Sequence, residues 1–286
     1  MITPRDRPAA PVTRLSMSPL VLARAYRAYF RKTFAVQLQY RASLLIWLIG
    51  SILEPTIYLV VWSTVARSSG GSVGGFTAGD FAAYYIAIMF VDHLTFTWIM
   101  WEYDYRIRMG QLSTMLLRPI HPIHEDIADN ITYKTLTLLV LLPVAALLVW
   151  LFDPAFDNTT LWAAAAFAPA LLLSFLVRFM LGWSLAMIAF WTTRISALND
   201  SFFVVELFLS GRIAPLAVLP DGLRALAGFL PFRWCLAFPV ELLLGRLTPR
   251  ETLIGFGMQA LWLAISLVLM RLIWRAGIRK YAAFGG

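Results

Sequence analysis

The sequence predicts an all-α integral membrane protein: six transmembrane helices, an N-terminal amphipathic helix in the interface, and short re-entrant helices before the last span. Three observations lead there. Of 286 residues, 60% are hydrophobic and only 14% charged, against roughly 25% charged in a soluble domain. Several apolar runs reach the roughly 20 residues that a bilayer core requires. The net charge of +8 comes mostly from arginine in the segments flanking those runs, where positive charge sets orientation. That distribution argues for membrane lipid as a partner and against nucleic acid. The single cysteine, Cys235, leaves no intrachain disulfide. The first long apolar run begins near Leu44, too deep and too long for a cleavable leader, so none is expected.

Taken in order, Met1–Ser16 is rich in proline and arginine and is expected to lack regular structure. Ser18 and Pro19 suit a helix N-cap and first position. From there to Arg41, Arg24, Arg27 and Arg31 fall on one face, and Leu22, Tyr26, Tyr29 and Phe30 on the other. That pattern fits a helix in the cytoplasmic interface or a simple positive flank. Spans are expected at about 44–65, 81–101, 131–152, 161–191, 196–210 and 253–273. The fourth exceeds an upright helix and should tilt or kink near Pro169. Glycine-rich residues with Arg67, an acidic turn with Asp153, Pro154 and Asp157, and a turn at Arg194 separate them. Between the fifth and sixth, Pro215, Pro220, Pro231, Pro239 and Pro249 break the segment from Gly211 into short pieces. The chain therefore divides into a cytoplasmic tail and amphipathic helix (1–43), a six-helix transmembrane domain (44–274) and a cytoplasmic tail (275–286).

Orientation follows the arginines and lysines. They crowd the N-terminal segment, the central loop (Arg106, Arg108, Arg118, with Lys134 just beyond) and the tail (Arg271, Arg275, Arg279, Lys280). Both termini and the central loop are therefore expected in the cytoplasm. One segment objects, because the region expected outside holds Arg212, Arg224, Arg233, Arg246 and Arg250.

The central loop, Met109–Asp126, is short, polar and almost uncharged at its start. Leu112, Met115 and Leu116 recur at helical spacing, and Arg118, Pro119 and Pro122 stop that helix. Its apolar face has no span of its own to pack on, so it reads as a docking site or as an ordinary loop. Four charged residues fall mid-span: Glu54, Asp92, Arg178 and Glu206. Such groups face a bundle interior, a cavity or a partner. Glu54 and Tyr58 lie on one polar and aromatic stripe of the first span, and Asp92, His93 and Phe96 on one stripe of the second. These five are substrate-path candidates for an amphipathic or cationic solute. Arg178 and Glu206 read instead as structural charges, with Arg178 paired to Glu54 or Glu206.

Catalytic signatures are missing. There is no GxxxxGK[ST] loop, HExxH or GxSxG. His121 and His124 with Glu125 do not have zinc-helix spacing, and Pro122 lies between them. No catalytic residue, metal site or cofactor is expected in this chain.

The order of features resembles the ABC-2 type permeases, the membrane subunits of type V ABC exporters. The nearest subgroup is one once described as of unknown function and since as viologen or multidrug exporter permeases. The residues that carry the likeness are Gly110-Gln111-Leu112 with Leu116-Leu117-Arg118-Pro119, then Ala189-Phe190-Trp191, then Leu209-Ser210-Gly211 with Pro215, Leu219-Pro220 and Leu230-Pro231-Phe232. The resemblance implies that Gly110, Gln111, Leu112, Met115, Leu116, Leu117, Arg118 and Pro119 form a coupling helix received by a separate ATPase subunit. ATP and Mg would bind on that partner. It further implies a second permease chain, identical or a sister, and a multi-pass place in a bacterial inner (plasma) membrane. The solute exported would be hydrophobic or amphipathic: drug-like, lipid or glycan. The rival readings are an ion-gradient transporter using Glu54, Asp92 and Arg178 as a proton relay, and a membrane-embedded lipid enzyme.

Overall fold

The computed structural model describes residues 18–192 and 195–281. The proline-rich start and Arg194 lie outside them. In order the elements are α1 (Pro19–Gln39), α2 (Arg41–Ser68), a hairpin of β1 (Ser72–Val73) and β2 (Phe76–Thr77), α3 (Ala78–Thr95), α4 (Ile99–Arg108), α5 (Gln111–Leu116), α6 (Ile123–Phe152), α7 (Leu161–Ala186), α8 (Ser196–Leu209), α9 (Asp221–Phe229), α10 (Pro231–Cys235), α11 (Ala237–Leu243) and α12 (Pro249–Lys280). The chain is an all-α membrane protein. Among the described residues, five stretches are long and apolar enough to cross a bilayer: α2, α3 with α4, α6, α7 with the 3-10 turn that extends it to Phe190, and α12. Helix α8 has 14 residues, about 21 Å at 1.5 Å per residue.

Local chemistry sets the boundaries. Thr77 and Asp80 form a reciprocal capping box at the start of α3, and Thr248 with Glu251 does the same for α12 behind Pro249. Helix α6 begins at Ile123, well before the apolar run, and carries Glu125, Asp126 and Asp129 in its first turns. Cations of the protein itself pair with Glu125 and Asp126, and the Thr33 hydroxyl donates to Asp129, so the helix continues through them.

Helix α3 is the centre. It is apolar on all faces and almost wholly buried from Phe81 to Met89, as expected of a core helix rather than a lipid-facing one. It packs on α2, α6, α7 and α11. The outer faces of the other helices carry exposed apolar side chains, such as Ile46, Ile49, Leu139, Trp150 and Leu272.

The second span is interrupted. Phe96 has extended backbone (φ −63°, ψ 146°), and regular helix resumes only at Ile99. Irregular backbone at membrane depth must be satisfied by protein. Here the Phe96 carbonyl accepts from Lys134 Nζ at 2.6 Å, and Gly182 of α7 lets Thr97 approach closely. Lys134 is thus an internal group, 7% exposed, and not a loop charge that marks topology.

Helix α1 also differs from a helix lying free in the interface. It packs along α6. Tyr26 Oη lies 3.1 Å from His124 Nδ1, Lys32 pairs with Glu125, and Thr33 donates to Asp129. Leu22, Tyr26, Tyr29 and Phe30 are half-buried, and Arg24, Arg27 and Arg31 stay exposed.

At the ends of α12, glycine permits close packing. A side chain at Gly277 would run into the Phe190 ring, whereas one at Gly257 would meet open space. Gly277→Leu is therefore expected to destabilise by about 1–3 kcal/mol and to lower the thermal midpoint in detergent. Gly257→Leu should match the wild type; equal midpoints for both would show that the packing is not tight there.

Candidate functional site

Five charged side chains form one chain across the bundle. Arg212 binds Glu54 of α2 with two hydrogen bonds, Nε to Oε1 at 2.9 Å and Nη2 to Oε2 at 2.8 Å. Its Nη2 lies 3.3 Å from Asp92 Oδ2 of α3. Arg178 of α7 donates to Asp92 Oδ1 at 2.9 Å and to Thr95 Oγ1 at 2.6 Å. On its other side, Nη2 lies 2.7 Å from Glu206 Oε1 of α8. The order Glu54–Arg212–Asp92–Arg178–Glu206 alternates in sign, so each guanidinium is shared between two carboxylates.

Here one open expectation is narrowed and another changes. Arg178 pairs with Glu206 but not with Glu54, because Arg212 occupies Glu54; its second partner is Asp92. Arg212 does not sit in an external loop charge cluster, since its head group is level with mid-helix Glu54 and Asp92. The loop that delivers it is pinned by aromatic donors. Tyr84 Oη donates to the Gly211 carbonyl at 2.8 Å. Tyr85 Oη (2.6 Å) and Trp62 Nε1 (2.8 Å) both donate to the Ile213 carbonyl. Gly211 adopts φ +89°, and a Cβ there would collide with the Tyr84 hydroxyl and Ala237. Three of the other four arginines of that segment are likewise engaged. Arg233 lies near Glu241, Arg246 pairs with Asp80 and stacks on Phe76, and Arg224 pairs with Asp221. Only Arg250 of the five has no ion pair among the described residues.

Of the path candidates, Glu54 and Asp92 are held in this chain. Tyr58 packs its ring on Tyr85, and His93 Nε2 meets Thr137 Oγ1 at 2.7 Å inside the core. Phe96 lines a cavity of about 20 Å³ with Met100, Arg178, Phe203 and Glu206, close to the space for one water.

The central loop is built inside out relative to its sequence reading. Gly110, at φ +68°, turns the chain from α4 into α5. Leu112 and Met115 are 0% and 8% exposed and join a core with Tyr103, Ile107, Phe179 and Trp183. Leu116 packs against the same core. These residues do have a span to pack on: the cytoplasm-expected ends of α4 and α7. The outward side chains are Met109, Gln111, Thr114, Leu117, Arg118 and Pro119, with Leu117 86% exposed.

The loop is also stapled at its base. Asp126, 1% exposed, accepts from Tyr103 Oη (2.7 Å), Arg106 Nη1 (2.6 Å) and Trp183 Nε1 (3.0 Å). That one carboxylate joins α4, α6 and α7, and sequence reasoning missed it. The available signal was an acid at the start of an apolar run, opposite Arg106. Arg118 binds Glu125 at 2.8 Å, which also holds Lys32 of α1. His121 accepts from the Ile123 amide through Nδ1, and its ring lies 4.6 Å from that of Trp274. Burial, with a smaller contribution from His124, lowers its pKa to about 4, so the ring is neutral at physiological pH. His124 faces Tyr26 instead.

A helical, multi-pass membrane protein with a buried charge chain and a loop braced against one end of its bundle is the class that these features define. The chain belongs to the ABC-2 transporter family: the family model described as ABC-2 family transporter protein matches residues 52–285. No curated protein matches the chain. Membership makes it a membrane permease component of an ABC transporter, generally a non-catalytic subunit, and implies an ABC ATPase as partner.

Removing one member of a buried pair typically costs about 3–5 kcal/mol, because its partner stays charged and buried. Arg212→Ala should therefore sharply lower the yield of monodisperse protein and its thermal midpoint. Replacing the pair together, Glu54→Gln with Arg212→Gln, should recover part of the loss. A wild-type midpoint in Arg212→Ala would show that the chain of charges does not hold the bundle together.

Proposed function

We propose that this chain is the membrane-spanning permease subunit of an exporter driven by ATP. In this reading it moves a hydrophobic or amphipathic solute (drug-like, lipid or glycan) out of the cytoplasm. It sits in a bacterial inner (plasma) membrane with both termini cytoplasmic. Helix α8 is the short fifth of six spans, and α9–α11 are re-entrant helices at the external face. The protein works as a pair of permease chains, identical or sister, with ATP and Mg held on the ATPase subunits.

The observation that carries the proposal is the construction of the central loop. Its apolar face is used up inside the permease, while a tip of Gln111, Thr114, Leu117, Arg118 and Pro119 stands exposed. A loop that is rigid at its base and open at its tip suits the transfer of a push. Force on the tip would pass through α5 and Asp126 into α4, α6 and α7 together. The tip must engage the ATPase differently in the two nucleotide states, because a partner with equal affinity for both conformations moves nothing. From α7 the movement reaches Arg178, whose bonds to Asp92 and Glu206 link α3 and α8. Alternating bonds of this kind can exchange partners without leaving a bare charge in lipid. Phe96 and the small cavity beside Arg178 are then the part of the solute path that widens.

Roles within the loop differ by burial. Leu117→Asp should leave the permease folded and inserted yet lose the ATPase on co-purification and abolish ATP-dependent export. Leu112→Asp should instead reduce folded yield, because it places a charge in a closed core. Full ATPase retention and stimulated hydrolysis in Leu117→Asp would remove the mechanical basis of the reading. Topology is tested at Asp221, whose side chain is 96% exposed. A membrane-impermeant thiol reagent should label Asp221→Cys from outside intact cells, and labelling only after the cytoplasm is opened would invert the proposed arrangement.

A further inference from the structure

A second feature lies apart from the charge chain and from the exposed tip of the loop. The C-terminal half of α1, the first turns of α2, α4 and α6 line a groove of about 530 Å³. That is within the range of roughly 300–1,000 Å³ of small-molecule sites. Its lining is graded. Lys32, Thr33, Glu102 and Asp129 lie at one end, and Trp47, Trp98 and Trp101 line it where α2 and α4 enter their apolar runs. Trp47 and Trp98 meet edge to face at 5.1 Å, and Trp98 and Trp101 lie 5.1 Å apart. Trp47 remains 60% exposed and Tyr40 58% exposed. Charge followed by tryptophan is the order of a bilayer's own interface.

The charges around the polar end do not balance. Glu125 is neutralised by Lys32 and Arg118, and Asp126 and Glu102 share Arg106. Asp129 has no ion pair among the described residues. It accepts one hydrogen bond to Oδ1, from Thr33, and Oδ2 has no partner among the described residues. Four carboxylates thus face three cations, and the unpaired one lines the groove. Lys32 is 55% exposed there and keeps donors to spare after its bond to Glu125.

We propose that this groove holds one phospholipid with a primary-amine head group, drawn from the leaflet that contains α1. The ammonium donates to Asp129, the phosphate lies toward Lys32, and the acyl chains pass along the tryptophans and the exposed apolar side of α2. A primary ammonium fits better than a quaternary one because Asp129 offers a hydrogen-bond acceptor, and charge-assisted hydrogen bonds are the strong ones. The bound lipid would wedge α1 against α6 beside the base of the loop.

The test needs the permease alone, without an ATPase, so its outcome is independent of the exporter reading. Full-length protein is placed in nanodiscs of equimolar dioleoyl phosphatidylethanolamine, phosphatidylcholine and phosphatidylglycerol, then examined by native mass spectrometry. One phosphatidylethanolamine per chain should be retained, enriched about tenfold over each other head group, the factor that roughly 1.4 kcal/mol supplies. Asp129→Asn should bring that enrichment down to the bulk ratio. Trp47→Ala, at a position 60% exposed, should weaken retention of the lipid while leaving elution unchanged. Equal retention of the three lipids by wild type, preference for phosphatidylcholine or phosphatidylglycerol, or unchanged enrichment in Asp129→Asn in protein that elutes normally would overturn the proposal.

Discussion

A charge cannot stand uncompensated at membrane depth, and the arrangement of this bundle follows from that constraint. Glu54, Asp92 and Glu206 come from three different helices, and no lysine or arginine lies beside any of them in sequence. Two arginines placed between them solve the problem, but only if α2, α3, α7, α8 and the loop at Arg212 are all in place at once. The ion chain is therefore a condition on the assembly more than a source of net stability, since desolvating such groups offsets much of what their pairing returns. It also explains why three aromatic donors converge on the two carbonyls beside Arg212. Holding the loop holds the guanidinium.

The same constraint accounts for the interrupted second span. Breaking a helix in a bilayer exposes carbonyls that water cannot reach. Lys134 supplies the missing donor at Phe96, and in doing so places its own charge near the Phe175 ring, 5.3 Å from its centroid. The break separates α3, locked in the core, from α4, which carries the central loop.

Around the loop, burial separates two roles that sequence spacing had merged. Leu112 and Met115 hold the loop to the bundle, and Leu117 stands out from it. Asp126 then ties the base to three helices through a tyrosine, an arginine and a tryptophan. In the groove beside it a carboxylate, Asp129, has no cation among the described residues, next to the exposed Trp47.

Sequence alone determined the class of fold, because composition and run length decide what a bilayer accepts. It also placed the start of α1 at Ser18 and Pro19 and the proline-broken segment, since these depend on backbone chemistry within a few residues. The mid-span charges were legible as buried groups, and Glu206 as a partner for Arg178. Tertiary structure decided the rest. Arg212 belongs to Glu54 and Asp92 because a pinned loop carries it 158 residues away from Glu54, a separation that no local pattern encodes. The short helix at Leu112 has an apolar stripe of the usual period, but periodicity does not say whether its own bundle or a partner covers that stripe. Here the ends of α4 and α7 cover it, and the unpatterned Leu117 is what remains outside.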